Sequence, residues 1–206
     1  MLQTDRGAII LAGGDSTRLG INKSLLELKG ETLIKRAVFT LRAYFTQITL
    51  VADHPELFAH LPVRLAGDIL TGYAKNPLRG IHAGLSAGNL PYQFVLACDM
   101  PFINLRLIRY MAQFAGRYDA VVPRNGNFHQ PLHAFYSSSC LEPIRRQVEQ
   151  GGGKITAFYH EVRVKYIDSA EIKRFDPMEL SFFNINSRAD YEEAQKLAAL
   201  TRRGGC

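Results

Sequence analysis

The chain has 206 residues, 47% hydrophobic and 21% charged, with 25 Lys plus Arg against 19 Asp plus Glu and a formal net charge of +6. That length fits one α/β domain with a real core, and the composition is that of a folded chain. The positive balance suits anionic ligands. Lys and Arg are scattered, with no basic run interleaved with aromatics, which argues against nucleic acid as the primary partner.

The first predicted strand, Ala8–Ala12, stops at Gly13 and Gly14, and a polar loop carries Arg18 and Lys23. Glycines let backbone N–H groups approach an oxyanion closely. Arg18 offers a planar fork for phosphate oxygens and Lys23 a point charge. Leu11, Ala12, Gly13 and Gly14 with Lys23 thus read as the cradle of a nucleoside triphosphate. Gly13, Gly14 and Gly20 do not fit the dinucleotide fingerprint, and Asn22 before Lys23-Ser24 does not fit the P-loop.

A helix is predicted over Leu33–Tyr44 and a strand over Ile48–Ala52, followed by Asp68 in a loop. Next comes Asn76-Pro77-Leu78-Arg79-Gly80, opening a predicted helix over Ile81–Gly88 rich in small residues. Free N–H groups at that helix start, near Gly80, suit a base carbonyl or a phosphate; close packing is the alternative. The predicted strand Phe94–Ala97 leads into Cys98-Asp99-Met100-Pro101. A carboxylate there can hold Mg²⁺ between phosphate oxygens, and spacing alone leaves a helix-start aspartate equally open. Cys98 reads as core.

A helix over Leu105–Ala115 and strands over Ala120–Pro123 and Leu132–Tyr136 follow. Pro131 suggests that the latter lies at an edge or that Pro131 precedes its first residue. His129 and His133 would share one face of a strand, but no third ligand is near, so ordinary polar contacts are expected. Next come a helix over Cys140–Gln150, a flexible Gly151-Gly152-Gly153-Lys154 hinge before an apolar helix, and an edge strand over Arg163–Ile167. In Phe183-Asn184-Ile185-Asn186-Ser187, alternation turns both amides to one side. The last helix, Ala189–Leu200, carries Ser187 and Asp190 at capping-box spacing. Cys98, Cys140 and Cys206 lack metal or disulfide spacing. No long apolar run or signal peptide stands in the sequence, so a cytoplasmic protein with no membrane partner is expected. One domain over 1–200 and a disordered tail over 201–206 are expected.

The segment Leu11-Ala12-Gly13-Gly14-Asp15-Ser16-Thr17-Arg18-Leu19-Gly20-Ile21-Asn22-Lys23, continued by Leu25-Leu26-Glu27-Leu28-Lys29-Gly30, resembles the nucleotidyltransferases that act on sugar phosphates and related acceptors. Leu19 stands where their pattern has Met. Pro77-Leu78-Arg79-Gly80-Ile81-His82-Ala83-Gly84-Leu85, Asp99-Met100-Pro101 and Asn184-Ile185-Asn186 extend the resemblance, within that superfamily, to the molybdenum cofactor guanylyltransferases, the MobA family. The resemblance implies a three-layer Rossmann-like nucleotidyltransferase fold of α/β class. Its central sheet would have about seven strands, mostly parallel, with helices on both faces.

It further implies transfer of GMP from GTP to molybdopterin or Mo-molybdopterin, with Mg²⁺ as cofactor. Arg18, Lys23 and Asp99 would be catalytic, and Asp99 the metal ligand. Asp68 and Gly80 would join the nucleotide site, with Asp68 receiving the guanine N1–H and amino group. Lys154, Asn184 and Asn186 would face the acceptor. Transient contact with cofactor-biosynthesis proteins or molybdoenzymes belongs to the same expectation. Alternatives are a cytidylyltransferase for the same cofactor, a guanylyltransferase for another small phosphate, and a non-enzymatic nucleotide or pterin carrier. Gly13-Gly14, where the cytidylyltransferases typically have Ala-Gly, favours guanine.

Overall fold

The computed structural model describes residues 3–13 and 23–200. In chain order the elements are β1 (Gln3–Leu11), β2 (Glu27–Leu28), β3 (Glu31–Thr32), α1 (Leu33–Arg42), β4 (Phe45–Val51), β5 (Arg64–Ala66), α2 (Pro77–Gly88) and β6 (Tyr92–Ala97). The second half holds α3 (Leu105–Ala112), β7 (Ala120–Asn125), β8 (Phe128–His129), β9 (His133–Ser137), α4 (Leu141–Glu149), β10 (Val164–Asp168), α5 (Ser169–Lys173) and α6 (Arg188–Leu200). An 8-stranded sheet runs β10-β7-β9-β6-β1-β4-β5, with β8 paired to β7. Pairs β1–β4, β1–β6, β4–β5 and β7–β10 are parallel; β9 is antiparallel to both its neighbours.

The apolar runs are nearly continuous because helices cover both faces of the sheet. Ala8, Ile10, Phe94 and Leu96 point to one face, where Val38 and Leu41 of α1 and Leu107 and Met111 of α3 bury them. Ile9, Leu11 and Val95 point to the other, against Leu78, Ile81 and Leu85 of α2 and Ile144 and Val148 of α4. At Gly84 a Cβ would come within 2.4 Å of Ile9 Cγ2, so α2 lies on β1 only because that position lacks a side chain. Leu26, Leu28, Leu33 and Ile185 form a smaller group with Ala194 and Ala198 of α6.

The helix starts follow local hydrogen bonding. Thr32 Oγ1 accepts from the Lys35 amide, Asn76 Oδ1 from Arg79, and Asn104 Oδ1 from Arg106 and Leu107. Ser187 Oγ accepts from the Asp190 amide while Asp190 Oδ2 accepts from Ser187, so the expected capping box forms.

Of the two positions that Pro131 suggests, the structure shows the entry: β9 is an interior strand and Pro131 precedes its start. One boundary needs correction, since α2 begins at Pro77, four residues before the predicted start, because Asn76 caps it and proline is favoured at the first helical position. After the glycines the expected helix is a 3₁₀ helix, Ile155–Glu161. β5, α5 and the β2–β3 hairpin are too short to carry a periodic signal and were not predicted.

Candidate nucleotide site

The register puts the carboxyl ends of the parallel strands level with one another. Leu11 stands opposite Val51 on one side and Ala97 on the other, and Val51 stands opposite Ala66. Ligands of open α/β sheets lie at such ends. A cleft of about 520 Å³ opens there. Its walls include Leu11, Ala12 and Gly13 beyond β1, Asp53 beyond β4, Asp68 beyond β5, and Cys98 and Asp99 beyond β6. Gly80, Lys23, Asn184 and Asn186 also line it. Gly14 and Arg18 lie outside the described residues.

Lys23 joins three distant segments. It opens a short 3₁₀ turn, Lys23–Leu25, anchored by the fully buried Ser24. Its Nζ lies 3.1 Å from Asp99 Oδ2 and donates to Asn186 Oδ1 at 2.7 Å. Both members of the ion pair are about four-fifths buried, with 21% and 19% of their side chains exposed. The Asp99 carbonyl also accepts from the Ile185 amide at 3.0 Å. Ile185 is fully buried, so its neighbours Asn184 and Asn186 turn outward to the cleft, as the alternation predicts. Asp190 Oδ2 accepts from the Asn186 amide and fixes that backbone.

Asp99 is no helix cap, because Asn104 fills that role for α3. Cys98 lines the cleft beside it. Burial, and then the Asp99 charge, push its thiol up to about 12, which leaves it protonated and unreactive at neutral pH. Gly80 lines the cleft and packs on Leu11, where a Cβ would meet Cδ2 at 3.3 Å, as the close-packing alternative expects; it stands inside α2, three residues past Pro77, so it does not itself open the helix.

Asp68 accepts from the Leu70 amide at 3.0 Å through Oδ1, and its Oδ2 lies 2.7 Å from Arg79 Nε. Asp53 and Lys75 form an ion pair at 2.8 Å on the same wall, and Asp53 Oδ2 lies 3.5 Å from where a Cβ of Gly13 would stand. Sequence reasoning missed both. Asp53 sits two residues past β4, as Asp99 sits two past β6 and Asp68 two past β5, and that strand-end placement was the available signal.

Two groups stand elsewhere. Lys154 does not line the cleft; its charge acts on His129. His129 and His133 lie on different strands, β8 and β9, and on opposite faces of the sheet, His129 with Tyr159 and Tyr166 and His133 with Phe94. His129 packs between Tyr159 and Tyr166. His133 is fully buried between the Phe94 and Phe182 rings, with no hydrogen-bond partner on either ring nitrogen among the described residues, where polar contacts are expected from the sequence. Burial pushes its pKa down to about 3. Among the described residues no group of three or more His, Cys, Asp or Glu could hold a metal without help, and no helix is long and apolar enough to cross a membrane.

A family model for the MobA-like NTP transferase domain matches residues 8–164. The probable molybdenum cofactor guanylyltransferase of Pelotomaculum thermopropionicum is 37% identical over 196 residues, covering 95% of each chain. The molybdenum cofactor guanylyltransferase of Syntrophotalea carbinolica is 35% identical over 188 residues, 90% of this chain and 89% of that one. The crystal structure of molybdopterin-guanine dinucleotide biosynthesis protein A of Archaeoglobus fulgidus superposes with a TM-score of 0.84 at 26% identity, covering 94% of this chain and 99% of that one. The family match spans the strands whose ends carry Gly13, Asp68 and Asp99, and the relatives align along nearly the whole chain: this protein belongs to the MobA-like NTP transferase family and is a nucleotidyltransferase.

Proposed function

We propose that this chain transfers GMP from GTP to the terminal phosphate of molybdopterin or its molybdenum-loaded form, giving molybdopterin guanine dinucleotide and pyrophosphate. The observation that carries the reading is the meeting of Lys23, Asp99 and Asn186 at the mouth of β1 and β6, in a chain whose relatives bear the guanylyltransferase name. GTP would lie across Leu11, Ala12 and Gly13, with its base toward Asp68 and Gly80 and its triphosphate toward Lys23. Gly14 and Arg18 belong to the same proposed cradle.

An acceptor phosphate oxygen attacks the α-phosphorus in line. The bond from that phosphorus to the β-bridging oxygen breaks, and pyrophosphate carries the electron pair away. No protein nucleophile is needed, and the protonated Cys98 thiol could not supply one. The chain positions the two phosphates and meets the developing charge. Lys23 brings a cation that is already desolvated and held by two partners. Asn186 and Asn184 offer amides on the acceptor side of Asp99.

Mg²⁺ characteristically takes one or two protein carboxylates and completes its shell with phosphate oxygens and water; Asp99 would supply the carboxylate, with the Asn186 amide oxygen beside it. When bound it would neutralise charge on the triphosphate. The reading carries a cytoplasmic setting, where GTP is supplied, and a hand-over of product to cofactor-biosynthesis proteins or molybdoenzymes.

The test is to incubate the protein with each NTP in turn, Mg²⁺ and molybdopterin, and to measure pyrophosphate. Release with GTP alone supports the proposal. Release with CTP in place of GTP would make the chain a cytidylyltransferase. Tight GTP binding without turnover on any acceptor would make it a carrier.

A further inference from the structure

Asp68 is held in the cleft by a residue that the family-like motif leaves open. Arg79 stands in the first turn of α2, two residues after Pro77, and only 12% of its side chain is exposed. Its Nε lies 2.7 Å from Asp68 Oδ2, and its Nη1 donates to the Tyr73 carbonyl. Its own amide donates to the Asn76 cap. One side chain therefore ties both ends of the 67–76 loop to the start of α2. Within that loop Gly72 turns through a φ of +89°, and Ile69 and Tyr73 stay exposed at 56% and 39%. Leu70 packs on the core and Lys75 pairs with Asp53, and the Arg79 guanidinium adds a tie that reaches Asp68 itself.

The consequence falls on Asp68. A carboxylate has four lone-pair directions. Here one is taken by the Leu70 amide, and Arg79 stands against the other oxygen. The Leu70 hydrogen bond and the guanidinium charge against the other oxygen together restrict its rotation, and the carboxylate lines the cleft where a ligand would meet it. We propose that Arg79 is a specificity-determining positioning residue: it orients the Asp68 carboxylate to receive the paired N–H donors of a guanine edge. Adenine lacks that donor pair, and so does cytosine. A carboxylate free to rotate would still attract donors, but it would lose the geometric match that rejects the other bases. This inference rests on the GTP reading above.

The experiment compares Arg79→Met, Arg79→Lys and Asp68→Asn with the parent protein, measuring kcat and KM for GTP, ATP and CTP, with thermal unfolding of each. Arg79→Met keeps the length and apolar stem of the side chain. It should raise the GTP KM about tenfold, leave kcat within about twofold, and lower the GTP-to-CTP preference about tenfold, a split expected when binding and not chemistry is lost. Arg79→Lys, which keeps the charge but not the fork, should recover only part of this. Asp68→Asn should abolish the preference. If Asp68→Asn relaxes base choice and a folded Arg79→Met does not, the inference is overturned while the GTP reading stands. If neither variant changes a preference for GTP, Asp68 does not read the base and this inference falls while the GTP reading stands; a parent protein with no preference for GTP would overturn the GTP reading itself.

Discussion

The two halves of the chain handle polar groups differently. Before Met100, parallel strands end at the cleft, and each carboxylate found there has partners: Asp53 has Lys75, Asp68 has Arg79 and Leu70, and Asp99 has Lys23. After Met100 the antiparallel β9 enters the sheet, and its fully buried His133 ring has no hydrogen-bond partner among the described residues, whereas the equally buried Tyr136 bonds to the Pro131 carbonyl and to Tyr159. Among the described residues, the second half contributes Leu132, Asn184 and Asn186 to the cleft. Charge in the cleft is thus contributed by the ends of the parallel strands and the loops beside them, while the later half, whose own ion pairs such as Arg124–Asp168 and Arg163–Asp119 lie elsewhere, brings neutral amides to it.

The sharpest way to break this contrast is Asp99→Asn. It keeps the shape and one acceptor but loses the charge. Turnover should fall about 10²- to 10³-fold, as when other preorganised electrostatic contacts are lost. GTP affinity without Mg²⁺ should change little in calorimetry. A variant retaining more than half of the parent turnover would remove Asp99 from the mechanism.

Lys23→Ala should weaken GTP binding about 10- to 100-fold, the range expected for hydrogen bonds to a charged group. The unfolding midpoint should barely move, because Lys23 sits at the cleft and Ser24 does the local anchoring. Lost stability with unchanged GTP affinity would reassign Lys23 to the fold.

The contrast also has a pH signature. His133 carries an ordinary value of 6.5 when unfolded and about 3 when folded. Between those values the unfolded chain binds more protons, so stability is fully present above pH 6.5 and falls as the pH drops toward 3. At pH 5 the loss from this ring should be about 2 kcal/mol. Denaturant melts of His133→Leu should show a flatter decline over that window. Parallel slopes in variant and parent would mean that His133 is not buried uncharged.

Lys154→Ala should do least. Lys154 is absent from the cleft wall, so the KM for GTP and for acceptor should both stay within about twofold, the scale of an exposed charge. A larger rise in acceptor KM would extend the acceptor site to the Gly151–Gly153 turn and blunt the contrast between the halves.

The same division governs what the sequence discloses. Around Asp99, an apolar run, a carboxylate and a proline stand adjacent, and the fold puts them where that order predicts. Asn184 and Asn186 are legible for a similar reason, since burying Ile185 forces its neighbours outward. Asp53 and Lys75 stand 22 positions apart and meet only because β4 and β5 pair, a fact no local pattern contains. His133 misleads because its polar ring sits in a strand whose other residues are buried too. Burial there follows from β9 being interior, which depends on a strand order that could not be derived from the sequence. Lys154 resembles a ligand by its position after three glycines, but the chain carries it toward β8, away from the strand ends.

The contacts of Lys23 also bear on when the site comes into being. The ammonium bridges Asp99, 76 positions downstream, and Asn186, 163 positions downstream. A growing chain carries β1, β4 and β6 once residue 97 has been made, yet Asn186 comes 89 positions later. Chains halted between those points would hold the centre of the sheet without a finished cleft, and the emergence of Asn186 becomes the step that completes the cluster around the ammonium.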